Sequence, residues 1–247
     1  MKRVHLLMPM AGGGVRFESQ GYLSPKPLIE IAGKPFFYWA IRSVTKFVEV
    51  ADITCVVLRE HVINFHIDKA IKNYFPNANI IVLEKVLNGA VLTCLEGIKA
   101  IADDMPILIN DCDHAFVSND FSDFCKVGNF DEIAGALLTF RSSNSAYSFA
   151  ETDENDNVIR TVEKQAISNR AICGAYYFGN ARIFRNAAEE YLEKCEYMEY
   201  FISGVYNILI ERKECVKAFW VDKHLSFGTP QEYTLAKENL KEFDEWK

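Results

Sequence analysis

The sequence has no basic tract, no long apolar run and no paired-cysteine motif, and each absence excludes a class of protein. The 247 residues include 27 lysines and arginines against 34 aspartates and glutamates, so the formal charge is −7 and broad nucleic-acid binding is disfavoured. No apolar run could cross a bilayer and the N-terminus lacks a signal-peptide pattern, which argues against membrane insertion. Seven scattered cysteines in apolar segments, with no CxxC and no histidines at zinc spacing, predict reduced core thiols in a cytoplasmic protein.

What the sequence does contain is an alternation of short apolar runs with longer segments of helical period. The runs predict strands buried on both faces, and the segments between them predict helices. This order favours an α/β, Rossmann-like fold with a mostly parallel central sheet, where ligands bind beyond the carboxyl ends of the strands. The expected strands are Val4–Met8, Ile53–Leu58, Ile80–Leu83 and Ile107–Ile109, and the helices are Phe36–Phe47, Val62–Tyr74 and Ala90–Ala102.

The second half of the chain has a different character, and we place a soft boundary near residue 135. We expect one unit over residues 1–247, with halves at 1–134 and 135–247 and a smaller lobe in the second half. An acidic, turn-rich segment lies at Glu151–Asn157, and Pro230 begins a last helix that runs to Lys247. The other expected elements are strands at Ile133–Phe140, Cys173–Phe178 and Val216–Val221, and helices at Ala181–Glu193 and Tyr200–Arg212.

A glycine cluster at the end of the first expected strand is the most informative stretch. Gly12, Gly13 and Gly14 can turn consecutive N–H groups toward an anion at a distance that a Cβ would obstruct. Arg16 and Lys26 add a planar guanidinium and a mobile ammonium. A tight turn with nothing bound is the alternative, but a turn alone does not require flanking cations. The stretch therefore predicts a triphosphate site.

Two carboxylates, Asp111 and Asp113, follow the expected strand at Ile107–Ile109. Alternate residues of an extended segment point the same way, so both side chains should lie on one side. Carboxylate oxygens suit Mg²⁺, which is a hard cation that keeps several waters. A strand-ending turn with solvated carboxylates is the alternative, but the neighbouring glycine loop favours the metal, with Asp113 as the stronger candidate.

Motifs along nearly the whole chain resemble those of a known family. The loop Ala11–Phe17 precedes Pro25-Lys26-Pro27-Leu28, and later come Val162-Glu163-Lys164, Gly174–Phe178 and Gly228-Thr229-Pro230 with Glu232. In this order they resemble the sugar-nucleotide nucleotidyltransferases (nucleoside-diphosphate-sugar pyrophosphorylases), in particular a subgroup found with capsule and surface-polysaccharide enzymes.

The resemblance implies a GT-A-like fold with a smaller acceptor-binding lobe, and it implies a role for each matching residue. Arg16 and Lys26 would be catalytic, and Asp113 with Asp111 would bind Mg²⁺. The nucleotide would be bound by Met10, Ala11, Gly12, Gly13, Gly14, Asn88, Gly89 and Asp111, and the acceptor by Glu163, Lys164, Gly174 and Tyr176. Where the family recognises the nucleobase it usually has a Gln and a Gly, and this chain retains the Gly as Gly89.

One position departs from the family pattern. Many relatives place an Asp directly before the closing Gly-Thr, where it completes the metal site, and this chain has Phe227 there. Either Asp113 and Asp111 hold the metal with more water, or another acid substitutes, for which Asp222 is the candidate. An inactive homologue is a further alternative, but the intact loop and Lys26 argue against it.

These observations predict a nucleotidyltransferase that joins a nucleoside triphosphate to a phosphorylated small-molecule acceptor and releases pyrophosphate. The acceptor that they favour most is a sugar 1-phosphate. The anionic acceptor phosphate would attack the α-phosphorus, so positioning and charge stabilisation are the catalytic needs. Alternatives are a cytidylyltransferase acting on a phosphocholine- or phosphoamide-type acceptor, a glycosyltransferase that uses a nucleotide-sugar, and a non-catalytic binding subunit. A homo-oligomer paired through Tyr200–Arg212 or the terminal helix is also possible.

Overall fold

The computed structural model describes residues 3–127 and 130–247. Strands and α-helices alternate along the first half, as the sequence predicts. The strands are β1 Val4–Pro9, β2 Glu30–Ile31, β3 Lys34–Pro35, β4 Val50–Leu58, β5 Asn79–Leu83, β6 Ile107–Asn110, β7 His114–Val117, β8 Gly135–Arg141, β9 Ser148–Thr152, β10 Val158–Glu163, β11 Arg170–Phe178, β12 Val216–Trp220 and β13 Lys223–Ser226. The helices are α1 Val15–Glu18, α2 Phe36–Thr45, α3 Arg59–Phe65, α4 Ile67–Tyr74, α5 Ala90–Ile98, α6 Asn119–Val127, α7 Ala181–Lys194, α8 Ile202–Glu211 and α9 Pro230–Glu238.

A central sheet runs through both halves of the chain in the order β10-β9-β11-β6-β1-β4-β5, with β8 beside β11 and β12 beside β8. Strands β5, β4, β1 and β6 are mutually parallel, whereas β11 runs antiparallel to β6 and to β8. The prediction of an α/β, Rossmann-like fold is confirmed. The strands of the second half continue the same sheet, and β8 begins at residue 135.

Alternating residues of β1 supply the core on each face of the sheet. Leu7 packs on one side with Val56 and the helices α5, α7 and α8, and Leu6 packs on the other with Val57 and α2. Helix α5 lies close to the sheet because Gly97 faces β1, where an added Cβ would stand 2.5 Å from Leu7 Cδ1. Both faces of the parallel strands are therefore covered, as their continuous apolar sequence predicts.

A third, aromatic core lies under the two-stranded pair β7–β13. Phe36, Phe227, Phe243 and Trp246 are fully buried there, and each buried ring contributes about 1.5–3 kcal/mol of hydrophobic stabilisation. The indole Nε1 of Trp246 donates to the carbonyl of Phe116 at 2.9 Å, which fixes the chain end against β7.

Two predicted helices are not continuous in the structure. The segment Val62–Tyr74 is not one helix, because His66 adopts a left-handed conformation (φ 51°) and separates α3 from α4. The last helix does not continue to Lys247: α9 ends at Glu238, and a 3₁₀ segment at Leu240–Trp246 follows. That segment turns Phe243 and Trp246 into the aromatic core, which one straight amphipathic helix would not do.

The acidic segment Glu151–Asn157 forms the end of β9 and the turn of a β-hairpin, β9–β10, that the sequence did not predict. Asp153 Oδ1 accepts from the backbone N–H groups of Asn155 and Asn157 and closes the turn. All seven cysteines are free, but Cys215 is exposed, so the expectation of core thiols is wrong at that residue. Within the described ranges no helix is both long and apolar enough to cross a membrane.

Candidate functional site

Two adjoining cavities lie beyond the carboxyl ends of β1 and β6. The loop cavity, of about 190 Å³, is lined by residues that include Met10, Gly12, Gly14 and Lys26. The hairpin cavity, of about 230 Å³, is lined by residues that include Ser148, Glu163, Tyr176, His114, His224 and Glu232. Asp111 and Asp113 line both cavities. The site is therefore two chambers that share a pair of carboxylates.

The glycine loop forms the open side of the loop cavity. Gly14 has φ 65° and stands at the N-terminus of the short helix α1, where its carbonyl accepts from the N–H of Phe17 at 2.9 Å. Gly12 has no atom within 4 Å of the position a Cβ would take. The loop therefore leaves backbone N–H groups accessible to an anion.

Lys26 reaches across the loop cavity to Asp113. Pro25 and the 3₁₀ turn at Lys26–Leu28 fix the backbone, and Lys26 Nζ donates to Asp113 Oδ2 at 2.7 Å. Burial opposes the charge on Lys26, but the negative groups around it, Asp113 foremost, together outweigh burial and raise the lysine pKa above its usual value. Burial likewise opposes the charge on Asp113, but its partners, Lys26 foremost, together outweigh burial and lower the aspartate pKa. Both groups of this pair are therefore charged at neutral pH.

Asp111 belongs to the same turn between β6 and β7, and Cys112 between the two aspartates is buried in the core. Burial and then the charge of Asp113 raise the pKa of Asp111 above its usual range. The backbone N–H of Phe227 donates to the carbonyl of Asp113 at 2.9 Å, so the closing motif fixes this turn. A Cβ at Gly228 would collide with Asp113 Oδ2, which explains why glycine follows Phe227.

The polar wall of the hairpin cavity is held in place by hydrogen bonds between side chains. Glu163 Oε2 accepts from Ser148 Oγ and, at 3.1 Å, from Ser203 Oγ on α8. Glu232 Oε1 accepts from the Tyr147 hydroxyl at 2.5 Å, while its other oxygen caps α9 in a capping box. Two fixed carboxylates thus face the cavity, ready to accept from donors on a ligand.

Two imidazole rings complete the back of the hairpin cavity. His114 is 2% exposed, and burial lowers its pKa to about 4. Burial, and then the neighbouring His114, lower the pKa of His224 to about 3. Both rings are uncharged at neutral pH, so the cavity's charge comes from its carboxylates and from Arg16 at its edge.

Most predicted site residues meet at this double cavity. Met10, Gly12, Gly14, Lys26, Asp111 and Asp113 line the loop cavity, and Glu163, Gly174 and Tyr176 line the hairpin cavity. Ala11 is buried behind the loop, and Gly13 is exposed on it. Arg16, expected beside the nucleotide phosphates, is exposed and borders the hairpin cavity instead.

Besides Ala11, Gly13 and Asp222, four residues singled out from the sequence line neither cavity. Asn88 and Gly89 precede α5. The carbonyl of Asn88 accepts from the N–H of Tyr200 at 3.4 Å, and Gly89 (φ 96°) has no room for a Cβ beside the Tyr200 backbone. Lys164 is exposed, with its ammonium 4.8 Å from the ring centroid of Phe201. The fourth residue is Phe227, whose side chain packs 4.7 Å from Phe36 in the aromatic core.

The prediction that Asp222 is a metal ligand is wrong. Asp222 Oδ2 accepts from the backbone N–H of Asn119 at 2.8 Å, at the start of α6. Its own N–H donates to the carbonyl of Val117, at the far end of β7 from Asp113. Asp222 stabilises the turn into α6, and a strand's length separates it from the shared carboxylates.

Sequence reasoning missed several residues of the hairpin cavity, among them Tyr147, Ser148 and His224. Tyr147 and Ser148 lie at the start of the unpredicted hairpin, and His224 lies on β13, which was also unpredicted. Glu232 was noticed as a motif residue, but its contact with Tyr147 was not. Pairing β9 with β10 would have placed Ser148 opposite Glu163.

The family implied by the sequence uses Mg²⁺, and the donor set fits that ion. Asp111 and Asp113 supply hard carboxylate oxygens at the wall that the two cavities share. Within residues 3–127 and 130–247, no group of three or more acidic, histidine or cysteine side chains could hold a metal. Mg²⁺ is commonly held by one or two carboxylates with water and substrate phosphates, so two aspartates suffice.

Comparisons with known proteins agree with this geometry. A family model described as nucleotidyl transferase matches residues 8–242. The bifunctional protein GlmU of Aliarcobacter butzleri (strain RM4018) is 24% identical over 251 residues, which cover 96% of this chain and 52% of that protein. The chain thus spans about half the length of that curated relative.

Solved structures show the same fold. The nucleoside-diphosphate-sugar pyrophosphorylase from Vibrio cholerae RC9 superposes with a TM-score of 0.81 at 24% identity, covering 95% of this chain and all of that one. The inositol-1-phosphate CTP transferase from T. maritima superposes with a TM-score of 0.75 at 14% identity, covering 99% of this chain and 97% of that one.

Proposed function

The chain belongs to the nucleotidyl transferase family, and from that premise we propose that it joins a nucleoside triphosphate to a sugar 1-phosphate. An oxygen of the acceptor phosphate forms a bond to the α-phosphorus, the bond from the α-phosphorus to the β-bridging oxygen breaks, and pyrophosphate leaves with the electron pair. The products are a nucleoside-diphosphate sugar and pyrophosphate. Both reacting phosphates are anionic, so the reaction needs cations and alignment rather than a protein nucleophile.

The observation that carries this proposal is the shared wall between the two cavities. The triphosphate binds in the loop cavity against the N–H groups of Gly12 and Gly14, and the acceptor binds in the hairpin cavity against Glu163. The two substrates then meet beside Asp111 and Asp113, which line both chambers. Such an arrangement would bring the two reacting phosphates together at one wall.

Lys26 is the residue assigned to the reacting phosphates. Its ammonium pairs with Asp113, which holds the charge in the cavity where phosphate oxygens would bind. Arg16, at the edge of the hairpin cavity, is assigned to the phosphates that face solvent. Both cations stabilise the negative charge that spreads over the transferring group.

Asp113 and Asp111 would hold the magnesium ion, with water and phosphate oxygens as its other ligands. Bound there, the ion would withdraw charge from the phosphates. Asp113 also orients Lys26 through their hydrogen bond, and the backbone bond from Phe227 keeps the aspartate turn in place. The side chain of Phe227 packs in the aromatic core and supplies no metal ligand, so the ion would rest on Asp113 and Asp111 with more water.

A second candidate is a cytidylyltransferase acting on a phosphate that is not a sugar phosphate. The similarity to a protein described as an inositol-1-phosphate CTP transferase favours it, because the fold then accommodates a cyclic polyol. A glycosyltransferase is less well supported, because it has no use for a triphosphate loop with Lys26. We further propose a cytoplasmic enzyme whose product enters capsule or surface-polysaccharide synthesis, in line with the motifs of that subgroup.

The test is a matrix of CTP, UTP, dTTP and GTP against glucose 1-phosphate, inositol 1-phosphate and phosphocholine, with Mg²⁺ present and pyrophosphate release as the readout. We expect release with one triphosphate and a sugar or polyol phosphate, and none when either substrate is left out. Tight triphosphate binding without pyrophosphate release across a wider acceptor panel would favour a binding subunit instead.

A further inference from the structure

The proposed chemistry leaves the hydroxyl group of Tyr147 without a role. Tyr147 ends the exposed loop between β8 and β9 and lines the hairpin cavity. Its ring packs edge-on against Phe140, with centroids 5.0 Å apart. Its hydroxyl donates to Glu232 Oε1 at 2.5 Å. This bond joins the loop before the β9–β10 hairpin to helix α9, which lies 85 residues later in the chain.

On the acceptor side, the backbone of Tyr147 is tied to the residues assigned to the acceptor. Its carbonyl accepts from the N–H of Lys164 at 3.1 Å. The next residue, Ser148, donates from its hydroxyl to Glu163 Oε2. Because these bonds hold Tyr147 beside the end of β10, a displacement of the tyrosine is transmitted to the Glu163 carboxylate.

On the metal side, Glu232 continues the connection to Asp113 through the closing motif. Glu232 Oε2 accepts from the N–H of Thr229 at 2.9 Å. Two residues earlier, the N–H of Phe227 donates to the carbonyl of Asp113 at 2.9 Å. Between them, Gly228 lies so close to Asp113 Oδ2 that a Cβ would collide with it. The closing motif therefore holds the aspartate turn, and Glu232 holds the closing motif.

The Tyr147 hydroxyl is thus the middle link of a connection that leads from Glu163 to Asp113. Burial, and then the hydrogen bond with Glu232, raise the pKa of Tyr147 above its usual value. The hydroxyl therefore stays protonated and remains a donor at neutral pH. Hydrogen bonds from a hydroxyl to a carboxylate are among the stronger ones in proteins, so this link resists opening.

We propose that Tyr147 is a positioning residue, whose bond to Glu232 keeps the acceptor-binding hairpin in register with the phosphates and metal at Asp113. The proposal rests on the proposed function and adds the residue that aligns its two substrates. The hydroxyl acts through Glu232 and not by contact with a substrate. Transfer between two bound phosphates is sensitive to displacements of about 1 Å. Loss of the link therefore lowers turnover more than it weakens the binding of either substrate.

Tyr147→Phe tests this role, because it removes the hydroxyl and keeps the ring against Phe140. Tyr233→Phe is the matched control. Tyr233 also lies on α9, its hydroxyl donates to the carbonyl of Glu30 at 3.0 Å, and it is not among the described residues that line either cavity. Each variant loses one hydroxyl bond of the same helix, so a merely structural role would affect both alike. Thermal melting establishes that each variant is folded.

With the substrate pair that the wild type uses, kcat of Tyr147→Phe should fall about 5- to 30-fold while both KM values stay nearly unchanged. Tyr233→Phe should keep the wild-type kcat. In a Glu232→Ala background, Tyr147→Phe should add little, because its partner is already gone. Amide hydrogen exchange gives a readout that needs no turnover. The N–H groups of Phe227 and Thr229 should exchange about 5- to 30-fold faster in Tyr147→Phe than in the wild type or in Tyr233→Phe.

Wild-type kcat in Tyr147→Phe would overturn the proposal, as would wild-type exchange at Phe227 and Thr229 or an equal fall of kcat in the control. A change confined to the acceptor KM would also overturn it, because the hydroxyl would then contact the substrate itself. Any of these results in an enzyme that releases pyrophosphate would refute the positioning role but keep the proposed function. Faster exchange in Tyr147→Phe, in a protein that releases no pyrophosphate with any substrate pair, would refute the proposed function but keep the link between the hairpin and the closing motif.

Discussion

The loop cavity and the hairpin cavity share two carboxylates but are built in different ways. The loop cavity is lined by residues of one short stretch, Pro9–Pro27, and one turn, Asp111–Asp113. The groups that it offers to a bound molecule are backbone amides and one ammonium. The hairpin cavity draws side chains from β7, β9, β10, β11, β13 and α9. Backbone amides suit any triphosphate, whereas converging side chains suit one shape of acceptor. The comparison predicts that common chemistry resides in the first cavity and substrate choice in the second.

The largest effect is expected at Lys26. Lys26→Met removes the ammonium but keeps the length of the side chain, and turnover should fall by about 10²–10³-fold because the charge of the transferring phosphates loses a partner. The fall should be the same for every acceptor that the wild type uses. Steady-state pyrophosphate release measures it.

Lys72→Met is the control for that substitution, because Lys72 is exposed and donates only to the carbonyl of Pro76 in the described contacts. It should retain wild-type turnover. Near-normal turnover in Lys26→Met, or a loss confined to one acceptor, would contradict the division of labour between the cavities.

The next effect is expected at Gly228, which lines the hairpin cavity beside the shared carboxylate Asp113. Gly228→Ala places a methyl group against Asp113 Oδ2, and displacing this carboxylate by about 1 Å should reduce turnover by up to about 10²-fold. In an Asp113→Ala background the same change should add little, because the displaced group is gone. A full additional loss in the double variant would show that the glycine acts elsewhere.

A smaller and more selective effect is expected at Glu163. Glu163→Gln replaces a charged hydrogen-bond acceptor for substrate hydroxyls with a weaker, neutral one. The KM for the sugar phosphate should therefore rise about 5- to 30-fold, while the KM for the triphosphate stays unchanged. Glu151→Gln on the same hairpin is the control, because Glu151 pairs with Arg160 outside both cavities. A rise in both KM values would mean that the two chambers are not independent.

The smallest effect is a change in how stability depends on pH. Burial holds the pKa of His224 at about 3, against about 6.5 in an unfolded chain. Below pH 6.5 the unfolded chain binds a proton that the fold does not, so stability falls as the pH falls. His224→Phe and His224→Gln should both remove about 2 kcal/mol of the loss between pH 7.5 and pH 5.

Denaturant melts at the two pH values measure that change. The two variants should agree with each other, because both lack a titrating ring. An unchanged pH dependence would mean that His224 is solvated and accessible to protons in the folded chain.

The same contrast explains what the sequence could reveal. The glycine loop, Lys26 and the aspartate pair could be identified because neighbours in sequence are neighbours in the loop cavity. Ser148 and His224 could not, since they reach the site through strands β9 and β13, whose pairing depends on long-range contacts. The end of the last helix at Glu238 was missed for a related reason. Burial of Phe243 and Trp246 against α2 and β7 decides where the last helix ends, and local periodicity does not record that packing.

The central claim is that an acceptor phosphate from the hairpin cavity attacks the α-phosphorus of a triphosphate held in the loop cavity. The most direct measurement uses an acceptor whose phosphate oxygens are labelled with ¹⁸O, with mass analysis of both products. All of the label should appear in the nucleoside-diphosphate product, and the released pyrophosphate should contain none. Label in the released pyrophosphate, or release of a nucleoside diphosphate instead of pyrophosphate, would contradict attack by the acceptor phosphate on the α-phosphorus.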